Sequence, residues 1–216
     1  PGSPKSAALS GVGLGPLGDE AAVNAGGPVL AVPGQPAWSK DFGFVEGAAV
    51  HLGGAVAGTA TPSLYRDQRQ GVLVSHHLPL PSGTYAVTLH FAELQVAGQG
   101  KRVFDVRAEG LLKLDDLDVV QQAGFGKAHT ETFEVNVADG ALTLALQASA
   151  GEAMVSAIEV HGVASLDVNP PGLDFGAVAS GDAKVITVTL KNVGVLPATL
   201  DTLALKLGPA GTPAAM

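Results

Sequence analysis

Apolar residues recur in this chain with a period of two, segment after segment, and no long stretch keeps the 3.6-residue period of an amphipathic helix. Val72, Val74, His76 and Leu78 fall on one face of a run that ends in the turn-forming sequence Pro79-Leu80-Pro81-Ser82-Gly83. Tyr85, Val87, Leu89 and Phe91 follow on one face, with Thr84, Thr88 and His90 opposite. Phe104, Val106 and Ala108 then alternate with Asp105, Arg107 and Glu109. Phe133, Val135 and Val137 are separated from Leu142, Leu144 and Leu146 by Ala138-Asp139-Gly140, a short-hairpin signal because Gly accepts the positive φ of a tight turn. Met154, Ser156, Ile158 and Val160 supply a last strand. Strands that alternate in this way bury one face each, so the pattern predicts an all-β sandwich of two sheets.

The residues before the first clear strand are rich in Gly and Pro, and predict short strands and long loops, where a rigid scaffold holds binding sites. Residues 1–19 read as a linker or processed end, and 20–162 as the main sandwich. A second unit, 163–216, starts near Val163, after which Asn169-Pro170-Pro171-Gly172 punctuates the chain. It holds Leu173-Asp174-Phe175-Gly176, a turn at Ser180-Gly181-Asp182, alternation through Ile186, Val188 and Leu190, and Leu203, Leu205 and Leu207 on one face. That amounts to only part of a seven-stranded sandwich.

Charge and composition exclude several functions. A net charge of −8, from 12 Lys and Arg against 20 Asp and Glu, leaves no basic footprint for nucleic acid. The absence of Cys removes thiolate chemistry and Cys-bound zinc. No apolar run is long enough to span a membrane. None of the six histidines forms a metal-binding or hydrolase motif, and His76 and His77 point to opposite faces of one strand. Glu93 and Asp105 suit a solvated strand face better than a glycosidase pair. Asp115, Asp116 and Asp118 lack the spacing of a calcium loop, and the Leu117-Asp118 pair suits a brace for a loop. Neither a cofactor, a metal nor a catalytic set is expected.

Five strings in order carry a family likeness: Ala22-Val23-Asn24-Ala25-Gly26-Gly27, Trp38-Ser39-Lys40-Asp41, Leu64-Tyr65-Arg66-Asp67-Gln68-Arg69, Tyr85 through Glu93, and Arg102-Val103-Phe104-Asp105-Val106 with Gly110, Leu117-Asp118-Val119 and Gly124. The region resembles malectin and malectin-like domains. That resemblance implies a jelly-roll β-sandwich that binds an oligosaccharide or polysaccharide without chemistry, within a secreted or cell-surface multidomain bacterial protein. The segment after Val163 resembles the first half of an immunoglobulin-like repeat of the Hydin and choice-of-anchor type. An incomplete sandwich exposes strand edges, so the expectation is that its remainder was removed by processing or truncation, the alternatives being packing of Leu173 to Leu207 against the first domain or against another chain in a homo-oligomer.

In the malectin family, aromatic rings with an acidic partner hold the sugar, two of them just after the Phe-Ala-Glu string. Gln95 and Val96 occupy those positions here, so the platform is missing there. Tyr65 matches a family aromatic near the ligand and is the first candidate contact; the other reading is a packed Tyr whose hydroxyl meets a backbone group. Trp38, the only Trp, is either a stacking surface or a loop anchor. Arg69 could meet a glycan hydroxyl or pair with Asp67 or Asp41, and Asp67 completes the candidate set. A structural or adhesion module that has lost its sugar site is the competing function.

Overall fold

A computed structural model describes residues 20–33, 37–171 and 184–198. Twelve strands are present among them: β1 (Glu20–Asn24), β2 (Phe44–His51), β3 (Asp67–Pro79), β4 (Gly83–Ala92), β5 (Val103–Ala108), β6 (Leu111–Leu117), β7 (Ala128–Val137), β8 (Ala141–Ala150), β9 (Ala153–Val155), β10 (Ala157–Gly162), β11 (Leu166–Asn169) and β12 (Thr189–Asn192). One helical turn, α1 (Val119–Gln122), and a 3-10 turn at Pro62–Tyr65 complete the elements. An antiparallel sheet in the order β1-β10-β4-β7 faces a second in the order β2-β3-β8-β5-β6, with β9 also paired to β3. The all-β sandwich expected from the alternation is the observed architecture.

Registers show why the alternation works. In β4, Tyr85, Val87, Leu89 and Phe91 are all fully buried. Their ladder partners include Val135, Phe133, Val160 and Ile158, so neighbouring strands present apolar side chains to the same interior. Phe104, Val106, Leu142, Leu144, Leu146 and Val74 line the facing sheet and join them in one core. The hairpin between β7 and β8 turns at Gly140, whose φ of 90° suits a residue without Cβ.

Val72 departs from the expected face: it is 64% exposed, whereas Val74, His76 and Leu78 are buried. Strand β3 changes partner at this point. It pairs with β9 through Gly71 and with β8 from Leu73 onward, while its ladder with β2 is irregular around Glu46. The irregularity turns Val72 outward. His76 and His77 do lie on opposite faces, one buried and one exposed.

After β10, β11 and β12 form a two-stranded antiparallel ribbon with Val168 opposite Leu190. Ordered strand begins only at Thr189, so Ile186 and Val188 of the expected run precede it. The Leu173–Gly176 string, the turn at Ser180–Asp182 and the Leu203–Leu207 run lie outside the described residues.

Candidate functional site

The inner face of the four-stranded sheet fills the core, so its outer face is the surface on which the loops can build a site. Alternation places Ala22 on β1, His90 on β4, and Ala157, Glu159 and His161 on β10 toward that face. Trp38 reaches it from the loop between β1 and β2, pinned by backbone bonds exchanged with Leu30 at 2.9 and 3.0 Å. Tyr65 reaches it from the 3-10 turn. The two rings meet over His90: the indole stands edge-on to the imidazole at 5.2 Å, and the phenol ring lies 5.9 Å away.

Both rings are interior. Trp38 is 7% exposed and Tyr65 4%, and they share a small second core with Val56, Leu64, Ala92 and Ala157. The Tyr65 hydroxyl lies 3.1 Å from His90 Nδ1, and His90 Nε2 lies 3.5 Å from Glu159 Oε2. A neutral imidazole with its proton on Nε2 accepts from the phenol and presents N–H to the carboxylate. Burial pushes the His90 pKa below its usual value, partly offset by Glu159, so the neutral form is the one this cluster holds. Burial likewise pushes the Tyr65 phenol up. The polar partner of Tyr65 is thus a side chain rather than a backbone group.

Beyond the Trp38 ring an open cleft of about 510 Å³ runs along the sheet, lined by Glu20, Ala21, Ala22, Ala37, Trp38, Glu159 and His161. Its polar groups already engage one another: His161 Nε2 is 2.9 Å from Glu159 Oε1, and its Nδ1 is 3.7 Å from Glu20.

Arg69 and Asp67 do not join this cluster. Arg69 donates through Nε to Asp41 and through an Nη to the Gly47 carbonyl, and its guanidinium lies 3.4 Å over the Phe44 ring. Asp41 also meets His76 at 3.2 Å. Burial alone raises the Asp41 pKa, but hydrogen bonds from His76, Arg69 and the Gly26 backbone outweigh it and hold the carboxyl below its ordinary value. Asp67 pairs instead with exposed His51 at 2.7 Å. Of the partners weighed for Arg69, Asp41 is the one present.

At the positions after the Phe-Ala-Glu string, Glu93 corrects the expectation of a solvated face. Its carboxylate is buried, 2.6 Å from Arg102 Nε, and accepts the backbone N–H groups of Gln95 and Val96 at 2.8 and 3.0 Å. Gln95 Oε1 accepts from the same guanidinium at 3.1 Å. The carboxylate is withdrawn from water because a guanidinium and two N–H groups solvate it in place of water. Asp118 caps α1 through the Gln121 N–H and also accepts from the Gly100 N–H, which is the loop brace expected of it. Among the described residues no three His, Asp or Glu side chains are grouped to hold a metal ion.

His90, Glu159, His161 and Glu20 were not readable as a group. Alternation gave the outward direction of His90 and Glu159, but their adjacency depends on the β4–β10 register, which joins strands distant in sequence.

The fold and this cluster define an all-β sandwich module. The model of the malectin domain matches residues 20–167, and the chain belongs to the malectin domain family. Human malectin is 27% identical over 161 residues, covering 63% of this chain and 53% of that protein. Receptor-like protein 4 of Arabidopsis thaliana is 40% identical over 85 residues, covering 37% of this chain and 13% of that one. The chain therefore spans about half or less of these relatives. The plant receptor-like kinase FER superposes with a TM-score of 0.58 at 19% identity, over 65% of this chain and 48% of that chain. A Bacteroides uniformis β-glucuronidase superposes at 0.61 and 17% identity, over 67% of this chain and 18% of that chain; both likenesses show the fold alone. Membership fits the expected extracytoplasmic setting, and among the described residues no helix is long and apolar enough to cross a membrane.

Proposed function

We propose that this chain is a malectin-type module of a secreted or cell-surface protein whose sandwich serves protein–protein or cell-surface assembly and has lost the family's sugar platform. The supporting observation is the use made of its rings: Trp38 and Tyr65 are consumed in a small core over His90. The positions after Glu93 carry no ring, and Gln95 is tied to Arg102. Stacking on a sugar needs an exposed aromatic face, and neither ring offers one. Calorimetric titration with glucans, galactans and cell-surface polysaccharides is expected to give no saturable heat. Saturable binding that Trp38→Phe weakens without lowering stability would overturn the reading.

Carbohydrate binding is the second reading, and the cleft beside Trp38 favours it. Its size falls in the usual range of roughly 300–1,000 Å³ for ligand pockets, and Glu20 and Glu159 would accept sugar hydroxyl groups. On this reading Trp38 contributes an edge rather than a face, Tyr65 acts behind it, and Arg69 and Asp67 lie outside the contact. Glu159→Gln would then weaken glycan binding with little change in stability.

A further inference from the structure

The end of the sandwich where β4 starts is closed by a piece of chain that follows β12. Val163 donates its N–H to the Thr84 carbonyl at 3.1 Å as the chain leaves β10. After the ribbon returns, Thr84 Oγ1 donates to the Val193 carbonyl at 3.1 Å, and Thr84 and Gly194 form a parallel bridge. Leu196 N–H reaches the Val163 carbonyl at 3.3 Å, while Val193 and Gly194 donate to Ser165 at 2.8 and 3.2 Å. Asn192 clamps the same turn, donating to the Leu196 carbonyl at 2.9 Å and accepting the Gly194 N–H at 3.0 Å.

Side-chain packing completes the contact. Val195 packs against the main core. A Cβ placed on Gly83 would lie 2.2 Å from Val195 Cγ1, so that the valine occupies the space a side chain would need. A Cβ on Gly194 would lie 2.1 Å from the Val163 carbonyl oxygen and 2.4 Å from Ser165 N, which are backbone atoms with no freedom to turn aside. Two glycines from separate units thus permit one close approach, and hydrogen bonds run across it on both sides of Thr84.

We propose that residues 193–196 are a built-in closing piece of the malectin sandwich, and that they lock the β11–β12 ribbon to it as one rigid body. The occupant of this surface is the chain's own segment rather than a second copy, and the joint fixes the direction in which the ribbon leaves the sandwich. This goes beyond the assembly function and holds whether or not a sugar binds.

The test uses the absence of Cys. Spin labels on cysteines introduced at Thr132 and Lys191 report the sandwich-to-ribbon distance by pulsed dipolar spectroscopy, in the full chain and in Gly194→Ala. The expected result is a single narrow distribution that broadens at least twofold in Gly194→Ala, with hydrogen-exchange protection of Val163 and Leu196 falling at least tenfold. Val195→Ala, which removes the plug and leaves the backbone untouched, should give the same broadening in smaller degree. A broad distribution in the unsubstituted chain overturns rigidity, and a narrow one that both variants retain overturns the lock.

Discussion

Replacing Trp38 by Ala should destabilise this module rather than blind it. The indole is 7% exposed and packs with Val56, Leu64, Tyr65, Ala92 and Ala157, edge-on to His90. A buried tryptophan withdraws roughly 200–250 Å² from water, which at about 25 cal/mol/Å² gives an upper bound of about 5–6 kcal/mol. Partial collapse of the hole brings the expected loss to about 3–5 kcal/mol. For a domain of this size that lowers Tm by roughly 6–20 °C. Because Trp38 is the only tryptophan, the variant is followed by far-UV circular dichroism in heat and urea instead of by fluorescence. A loss below about 1 kcal/mol would show that the ring packs on little and is not part of the core.

Arg69→Ala should cost about 3–5 kcal/mol in urea titrations, because Asp41 is left buried beside His76 without its guanidinium. Arg69→Lys should not restore that stability, since one ammonium cannot serve both Asp41 and the Gly47 carbonyl with the same fork. Glu93→Ala should cost about 3–5 kcal/mol by leaving the buried Arg102 guanidinium without its counter-charge, and hydrogen exchange at Gln95 and Val96 should quicken as their acceptor disappears. The pH dependence has two arms. His90 has a folded pKa lowered from 6.5, so the unfolded chain binds its proton first and stability falls as pH drops below 6.5 toward the folded value. Asp41 has a folded pKa lowered from 3.8, so its contribution is present above 3.8 and is lost as pH falls through the folded value. Thermal melts across pH should show both arms, and His90→Gln should remove the upper one.

Much of the sandwich was legible because a period of two leaves a strand little choice of face: Tyr85 to Phe91 and Leu142 to Leu146 are buried as read. Val72 escaped because its direction depends on a change of pairing partner along β3, which no local pattern records. The residue types of the candidate site were visible, and their use was not. Trp38 and Tyr65 each allowed a packed and an exposed reading. What decides between them is His90, an outward-facing strand residue whose place beneath both rings follows from loop paths. Glu93 shows the same limit: a charged residue at the end of an alternating strand reads as solvated unless its partner is known, and Arg102 comes from another part of the chain. For Arg69 the pairing with Asp41 was legible as one of two choices, and the loop path decides between them.

The single tryptophan offers the most direct test of the claim that its ring belongs to the fold. One indole N–H cross-peak reports Trp38 in a ¹H–¹⁵N spectrum, and it can be followed while an oligosaccharide library is titrated into the intact chain. The cross-peak is expected to stay in place at every sugar concentration. A saturable shift of that peak, with the fold unchanged, would contradict that expectation and assign the cleft to carbohydrate.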